Sequence, residues 1–363
     1  MAKEFKDFTF CGQKLSDLNA NYISVDFDNK EEVPLGLERD FETGDSNRYK
    51  VEPNYHYDKW SDGLEMELDI MKNPCKYSTY EELIFSKKEI SDIARWTTSS
   101  HFPEWIIFEY NEGTESEAVR YYGYFTNIET FVAGRNVYGL KLTFKCTTPF
   151  GYTDEIVKSR SVTSVDNFIL TNNSDELNSY IYPKIEINPH SDGYIYILNL
   201  SDCTTLTSGT LSLSATQISY ADSLLDTVEQ YAKNNGYTVT YTGKGAFNIE
   251  LICNNTAVQF TLTDSFGVEK KCTAYYLTDS KVYYIIENGF MYMQVYKDLI
   301  VNMDCAKLTI NDELGRMITY DKLGINDVDF MYWFKLAYGN NSIQLYGDAD
   351  FTFKYMESKK VGE

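Results

Sequence analysis

Three histidines, His56, His101 and His190, are all this chain offers for proton transfer near neutral pH or for nitrogen ligation of a metal. None stands near a second histidine or a cysteine at ligand spacing, so a zinc site is not expected. The seven cysteines, Cys11, Cys75, Cys146, Cys203, Cys253, Cys272 and Cys305, are widely spaced, odd in number and free of any Cys-x-x-Cys. That speaks against a disulfide framework and for reduced thiols. Carboxylates are common, with 54 Asp and Glu, so pairs such as Glu65/Glu67 and Glu115/Glu117 arise by chance. Glycosidic cleavage needs two acids set across a cleft, which spacing in sequence does not supply. There is no Gly-x-Ser-x-Gly elbow. Gly243-Lys244-Gly245, between two strand-like runs, reads as a hairpin turn and not as a phosphate cradle. Asp312-Glu313 lacks the spacing of an EF-hand loop. No catalytic residue, metal or cofactor is expected.

Aromatic residues are the one class that suggests binding. They make up 15% of the 363 residues, with 31 Tyr and 21 Phe. Exposed rings on a β-sandwich can stack on sugars, and Tyr275, Tyr276, Tyr283, Tyr284, Tyr292, Trp333 and Tyr338 are the candidates. The competing readings are core packing and subunit interfaces, where aromatics are also enriched.

Net charge is −21 and even: residues 1–158 carry 18 Lys and Arg against 29 Asp and Glu, the remainder 15 against 25. A field of that sign repels nucleic acid and anionic membranes. It serves either solubility or a negative channel lining past which DNA slides without sticking, and both readings stand at this level. There is no run of about 18 apolar residues and no apolar leader core, so synthesis in a cytoplasm without membrane insertion is expected.

The elements that must position these side chains are mostly strands. Tyr22–Phe27 and Leu64–Ile70 alternate apolar and polar residues. From Trp96 to Tyr152, aromatic and β-branched runs are punctuated by Gly, Pro and acids. Residues 36–60 read as a long loop or hairpin. One helix is expected over Ser86–Trp96, where Ser86 and Glu89 form a capping box and Ile90, Ile93 and Ala94 share a face. A second is expected over Tyr220–Asn234, stopped by Asn235-Gly236. Asn288-Gly289 and Lys307–Tyr320 read as hairpins. Strand runs close the chain at Ser342–Gly347 and Asp350–Tyr355.

The fold class is therefore mainly β, with sandwich domains and one packed helix in the N-terminal domain. Residues 1–155 form an N-terminal β-domain. Residues 156–202 and 280–363 form a β-sandwich, and 203–279 an inserted α+β subdomain.

Several stretches carry a family resemblance. The strand series from Trp96 to Tyr152, the opening Phe10-x-Gly12, the turn Lys307–Glu313 and the late Phe330–Ile343, with its Leu-x-x-Gly-x-Asn-x-Ile pattern, resemble the distal tail proteins of siphophages. The resemblance covers 1–200 and 281–363. It implies a structural virion protein, not an enzyme, with a projecting hairpin in the N-terminal domain. It implies a hexameric ring that joins the tail tube to tail-tip proteins, DNA passing through without specific binding. It also implies a galectin-like C-terminal sandwich that docks a receptor-binding protein or a host saccharide. The alternative is a carbohydrate-binding receptor-recognition module of a phage tail. Residues 203–279 lie outside the minimal family pattern, and 36–60 are more acidic than the family's usual basic loop.

Overall fold

The computed structural model describes residues 5–25, 27, 39–43, 56–60, 63–110, 119–177, 179–211, 220–241, 248–250, 256–277, 280–325, 328 and 331–360. The chain divides into two compact units, Met1–Asp154 with Glu357–Glu363, and Glu155–Met356. It is mainly β. No described helix is long and apolar enough to cross a membrane.

In the first unit an antiparallel sheet runs in the order Gln13–Lys14, Phe5–Phe10, Glu104–Tyr110, Arg120–Ala133, Asn136–Cys146, Glu65–Lys72, Tyr22–Val25. Alternation decides its faces: Leu68, Ile70, Leu140, Leu142 and Phe144 are all fully buried, while Glu67, Lys141, Thr143 and Lys145 alternate with them on the more exposed face. The helix spans Lys87–Thr97. Glu89 N donates to Ser86 Oγ at 3.2 Å, and Ser86 N donates back to Glu89 Oε2 at 2.8 Å, which completes the capping box. The helix buries Ile93 and Trp96 on the sheet, where Trp96 stacks on Phe8 at 5.2 Å and donates Nε1–H to the Phe10 carbonyl at 3.0 Å. Lys72 is buried, and its ammonium is satisfied by the carbonyls of Glu82 and Ile84 (3.1 and 2.9 Å) and by Glu89 at 2.9 Å. The strand Arg39–Thr43 pairs with His56–Trp60 as an antiparallel ladder within the polar 36–60 stretch. The chain's end returns to this unit, where Ser358–Lys359 pairs with Gly151–Tyr152.

In the second unit two sheets face each other across one core. One has the order Ile156–Val162, Ala349–Tyr355, Lys184–Pro189, Val301–Asp304, Thr309–Asn311. The other has Val165–Asn172, Gly339–Tyr346, Gly193–Asn199, Phe290–Val295. Ile185, Ile187, Ile195, Ile197, Met293 and Phe353 meet between them. A third sheet follows the order Thr204–Thr210, Val282–Glu287, Glu269–Leu277, Thr256–Thr263, Thr238–Tyr241, with Asn248–Glu250 also on Thr256–Thr263. The helix Tyr220–Asn235 buries Leu224, Val228 and Ala232 on one face of it.

Two expectations change. Asn288 and Gly289 both have the positive φ of a tight hairpin (64° and 79°), yet the strands they join lie in different sheets. Val282–Glu287 pairs with Thr204–Thr210, and Phe290–Val295 pairs with Gly193–Asn199. The turn is thus the passage from the third sheet back to the sandwich, and Val282–Glu287 belongs to the third sheet although the sequence places it in the sandwich. Ile156–Val162 is a full strand, although the sequence from Asp154 to Asn178 is polar with one β-like run, Phe168–Leu170. It is an edge strand with most of its residues exposed, so it needs no apolar alternation.

Candidate functional site

The residues that could do chemistry do not converge. His190 Nδ1 lies 3.0 Å from Asp348 and Nε2 lies 3.1 Å from Asp350. Ser191 Oγ donates to Asp348 at 2.7 Å, not to the imidazole. A nucleophile needs a base with one free ring nitrogen; here both are taken by carboxylates. The bonds to Asp350 and then Asp348 raise the His190 pKa above its ordinary value. Burial pushes the thiols of Cys146, Cys272 and Cys305 up to about 12, so they stay protonated at neutral pH. Asp312 is consumed locally: Oδ1 accepts from the backbone N–H groups of Leu314 and Arg316, and Oδ2 takes Nε of Arg316 at 2.7 Å. Those bonds hold its carboxyl below the usual range. No cluster of three or more His, Cys, Asp or Glu able to hold a metal occurs among the described residues. Glu115, Glu117 and Gly243-Lys244-Gly245 lie outside the described residues.

The seven candidate aromatics separate by burial. Tyr275, Tyr276 and Tyr292 are buried, which removes them from any sugar-stacking surface. Tyr275 is sandwiched by Tyr284 at 5.1 Å and Phe290 at 5.8 Å, and these rings fill the joint between the third sheet and the sandwich. Tyr276 faces the helix side of the same sheet. Tyr283 and Tyr284 are half-buried, and Tyr338 is exposed. Trp333 is half-buried at a cleft of about 300 Å³.

That cleft opens where the third sheet meets the sandwich. Trp333, Met331 and Tyr182 give it apolar surface, and Lys271, Lys335 and Asn288 give it donors. Its 331–338 wall has no regular hydrogen-bond ladder and is held by a single two-way backbone bridge between Leu336 and Ile181 and by three buried asparagines. Asn199 Nδ2 donates to the Lys335 carbonyl at 2.8 Å, and Asn172 Nδ2 to the Leu336 carbonyl at 3.2 Å. Asn341 accepts from Ala337 N at 2.9 Å and donates back to the Ala337 carbonyl at 2.7 Å. The pattern Leu336-x-x-Gly339-x-Asn341-x-Ile343 is therefore structural: Leu336 and Ile343 are fully buried, Gly339 takes φ 86°, and Asn341 pins the loop. Lys335 is oriented by Asp202 at 3.4 Å and by the Tyr180 ring at 4.0 Å, and the Tyr332 hydroxyl donates to the same Asp202 at 2.8 Å. Sequence reading found Trp333 but missed Tyr182, Lys271 and Lys335. They come from separate segments that only the fold brings together.

Residues 3–148 match a family model described as a phage tail protein N-terminal domain, and residues 150–241 match one described as a phage tail C-terminal domain. The chain belongs to a phage tail protein family. The two matches follow one another with almost no gap and span well over half of this phage tail protein. Among solved structures it is similar to the Dit protein of phage SPP1, described as a paradigm of the hub adsorption apparatus in phages infecting Gram-positive hosts. The identity is 12% and the TM-score 0.46, over 97% of this chain and 98% of that one. It is also similar to the baseplate of phage P2 in its activated conformation with Ca, at 9% identity and TM-score 0.36, over 90% and 89% of the two chains. No curated protein matches.

Proposed function

We propose that this protein is a distal tail hub: a non-enzymatic virion component that forms a ring, joins the tail tube to the tail-tip adsorption proteins and lets DNA pass without binding it. The observation that carries this reading is the succession of two phage tail matches over 3–148 and 150–241. The motif order across Trp96–Tyr152 and Phe330–Ile343 supports it. So does the long hairpin of Arg120–Ala133 with Asn136–Cys146, whose first strand is mostly exposed from Thr126 onwards. Phe131 and Val132 stand out at its tip, with Phe131 stacked on Phe27 at 4.4 Å. Exposed apolar residues beside a hairpin turn suit the heterologous contact that a closed ring repeats at every subunit. The C-terminal sandwich, galectin-like in this reading, carries the third sheet as an addition that faces tip proteins.

Light scattering on the purified chain, followed by negative-stain imaging, tests the proposal. Rings of six copies with a central opening are expected, alone or once the cognate tail tube protein is added. A chain that stays monomeric at high concentration with that partner present overturns it.

A further inference from the structure

The first unit leaves few large apolar side chains in water. Among its described residues these are Tyr80, Phe102, Tyr124, Phe131 and Val132. Tyr80 and Tyr124 each keep a hydroxyl for water, whereas Phe102, Phe131 and Val132 have no polar side-chain atom. Phe102 is 75% exposed on a backbone that is already fixed. Ser100 Oγ accepts from Phe102 N at 3.1 Å and donates to the Phe102 carbonyl at 2.8 Å. Phe131 and Val132 form a second place, which is also preformed. Phe27 stacks on Phe131 with the two ring planes 2° apart. It fits there because residue 139 is glycine, where a Cβ would lie 2.1 Å from Phe27 Cζ. Both places lie along one strand. Glu104 pairs with Gly123, and Phe131 stands eight residues further along Arg120–Ala133, roughly 25 Å at the rise of a strand. Their charges are opposite: Glu104 follows Phe102 closely, and the exposed Arg135 follows Val132.

A closed ring needs two different surfaces on every copy, each the complement of the other. The first unit carries such a pair. We propose that Phe102 of one copy seats on the Phe131 and Val132 patch of the next copy, with Glu104 and Arg135 facing each other at the rim. This contact rests on the hub reading and names what the hairpin meets: a second copy of this chain. Phe102, Phe131 and Val132 supply the desolvated centre, while Glu104 and Arg135 set register more than strength. Two like patches would instead pair copies about a two-fold axis and stop at a dimer. Because the two surfaces stand well apart on the strand, each copy engages two neighbours at once.

Analytical ultracentrifugation of full chains carrying Phe102→Asp or Val132→Asp tests the contact, with the cognate tail tube protein added if wild-type rings require it. Each variant alone is expected to lose its rings, assembly needing at least about tenfold more protein than for the wild type. An equimolar mixture of the two is expected to give heterodimers and nothing larger. The Phe102→Asp copy still offers an intact patch, and the Val132→Asp copy still offers an intact Phe102. Both side chains are exposed, so the variants are expected to melt at the wild-type temperature. Phe102→Ser and Val132→Ser serve if either aspartate variant melts early. Rings that persist in either variant, or a mixture without heterodimers at high concentration, overturn this contact while the hub reading stands. A wild type that forms no ring with the tube protein present overturns both.

Discussion

At the scale of single residues, buried amides and one histidine cluster matter more than any reactive group. Asn341 is fully buried and bonds to Ala337 through both its amide oxygen and its amide nitrogen, with a second donation to the Gly339 carbonyl at 3.1 Å. Replacing it by alanine strands those backbone groups away from water. Asn341→Ala is expected to cost about 1–3 kcal/mol, read as a lower urea midpoint with an unchanged slope. The His190 cluster gives a pH signature. Its pKa is raised by Asp350 and Asp348, so its contribution is complete below the ordinary histidine value of about 6.5 and is lost as pH rises through the folded value. The partners shift the opposite way: Ser191 and then His190 lower Asp348, and Ser161 and then His190 lower Asp350. Their contribution holds above about pH 4 and fades as pH falls through the depressed values. The cluster therefore stabilises most between about pH 4 and 6.5. His190→Gln is expected to lose more stability at pH 5.5 than at pH 8.5, and equal losses at both would count against the cluster. The His190 ring signals are expected to titrate above the ordinary histidine value in NMR.

At the scale of elements, what could be read in the sequence was what carries periodicity or a cap. The helix at Lys87–Thr97 was legible because Ser86 and Glu89 sit three apart ahead of Ile90 and Ile93, and the one at Tyr220–Asn235 because it ends on Gly236 at φ 74°. The edge strand Ile156–Val162 was not, because a strand with solvent on most side chains has no apolar rhythm to show. The role of Asn288-Gly289 was hidden for a different reason. Positive φ at both positions was correctly implied, but which strands pair on either side is a tertiary choice. The cleft was hidden for the same reason, since Lys271 and Trp333 are far apart in the chain. The Asn288-Gly289 joint yields its own prediction. At Gly289 (φ 79°) a Cβ would lie 2.7 Å from Cys203 Cβ and 2.8 Å from the Asn199 carbonyl oxygen. Gly289→Ala is expected to cost about 2 kcal/mol or more, from left-handed strain and overpacking together. Hydrogen exchange is expected to rise first around Asn199, Cys203 and Phe290, and exchange unchanged there would show that the joint tolerates the methyl group.

At the scale of the whole molecule, charge and assembly are coupled. Each copy carries −21, spread over both halves of the sequence. Bringing several such copies into one ring concentrates like charge, and that repulsion opposes association at any distance shorter than the screening length. The screening length is about 30 Å at 0.01 M salt and about 8 Å at 0.15 M, so salt removes much of the long-range repulsion while leaving apolar contacts such as an exposed hairpin tip intact. If ring formation rests on apolar and backbone contacts, the assembled fraction is expected to rise as salt increases from about 20 mM to about 300 mM. Analytical ultracentrifugation across that range reads the effect directly. A fraction that falls with salt would mean that complementary ion pairs between copies hold the ring, and the exposed tip at Phe131 and Val132 would then not be its main contact. Phe131→Ser with Val132→Ser separates the two further, because loss of the ring at every salt concentration is expected only if that tip is the contact.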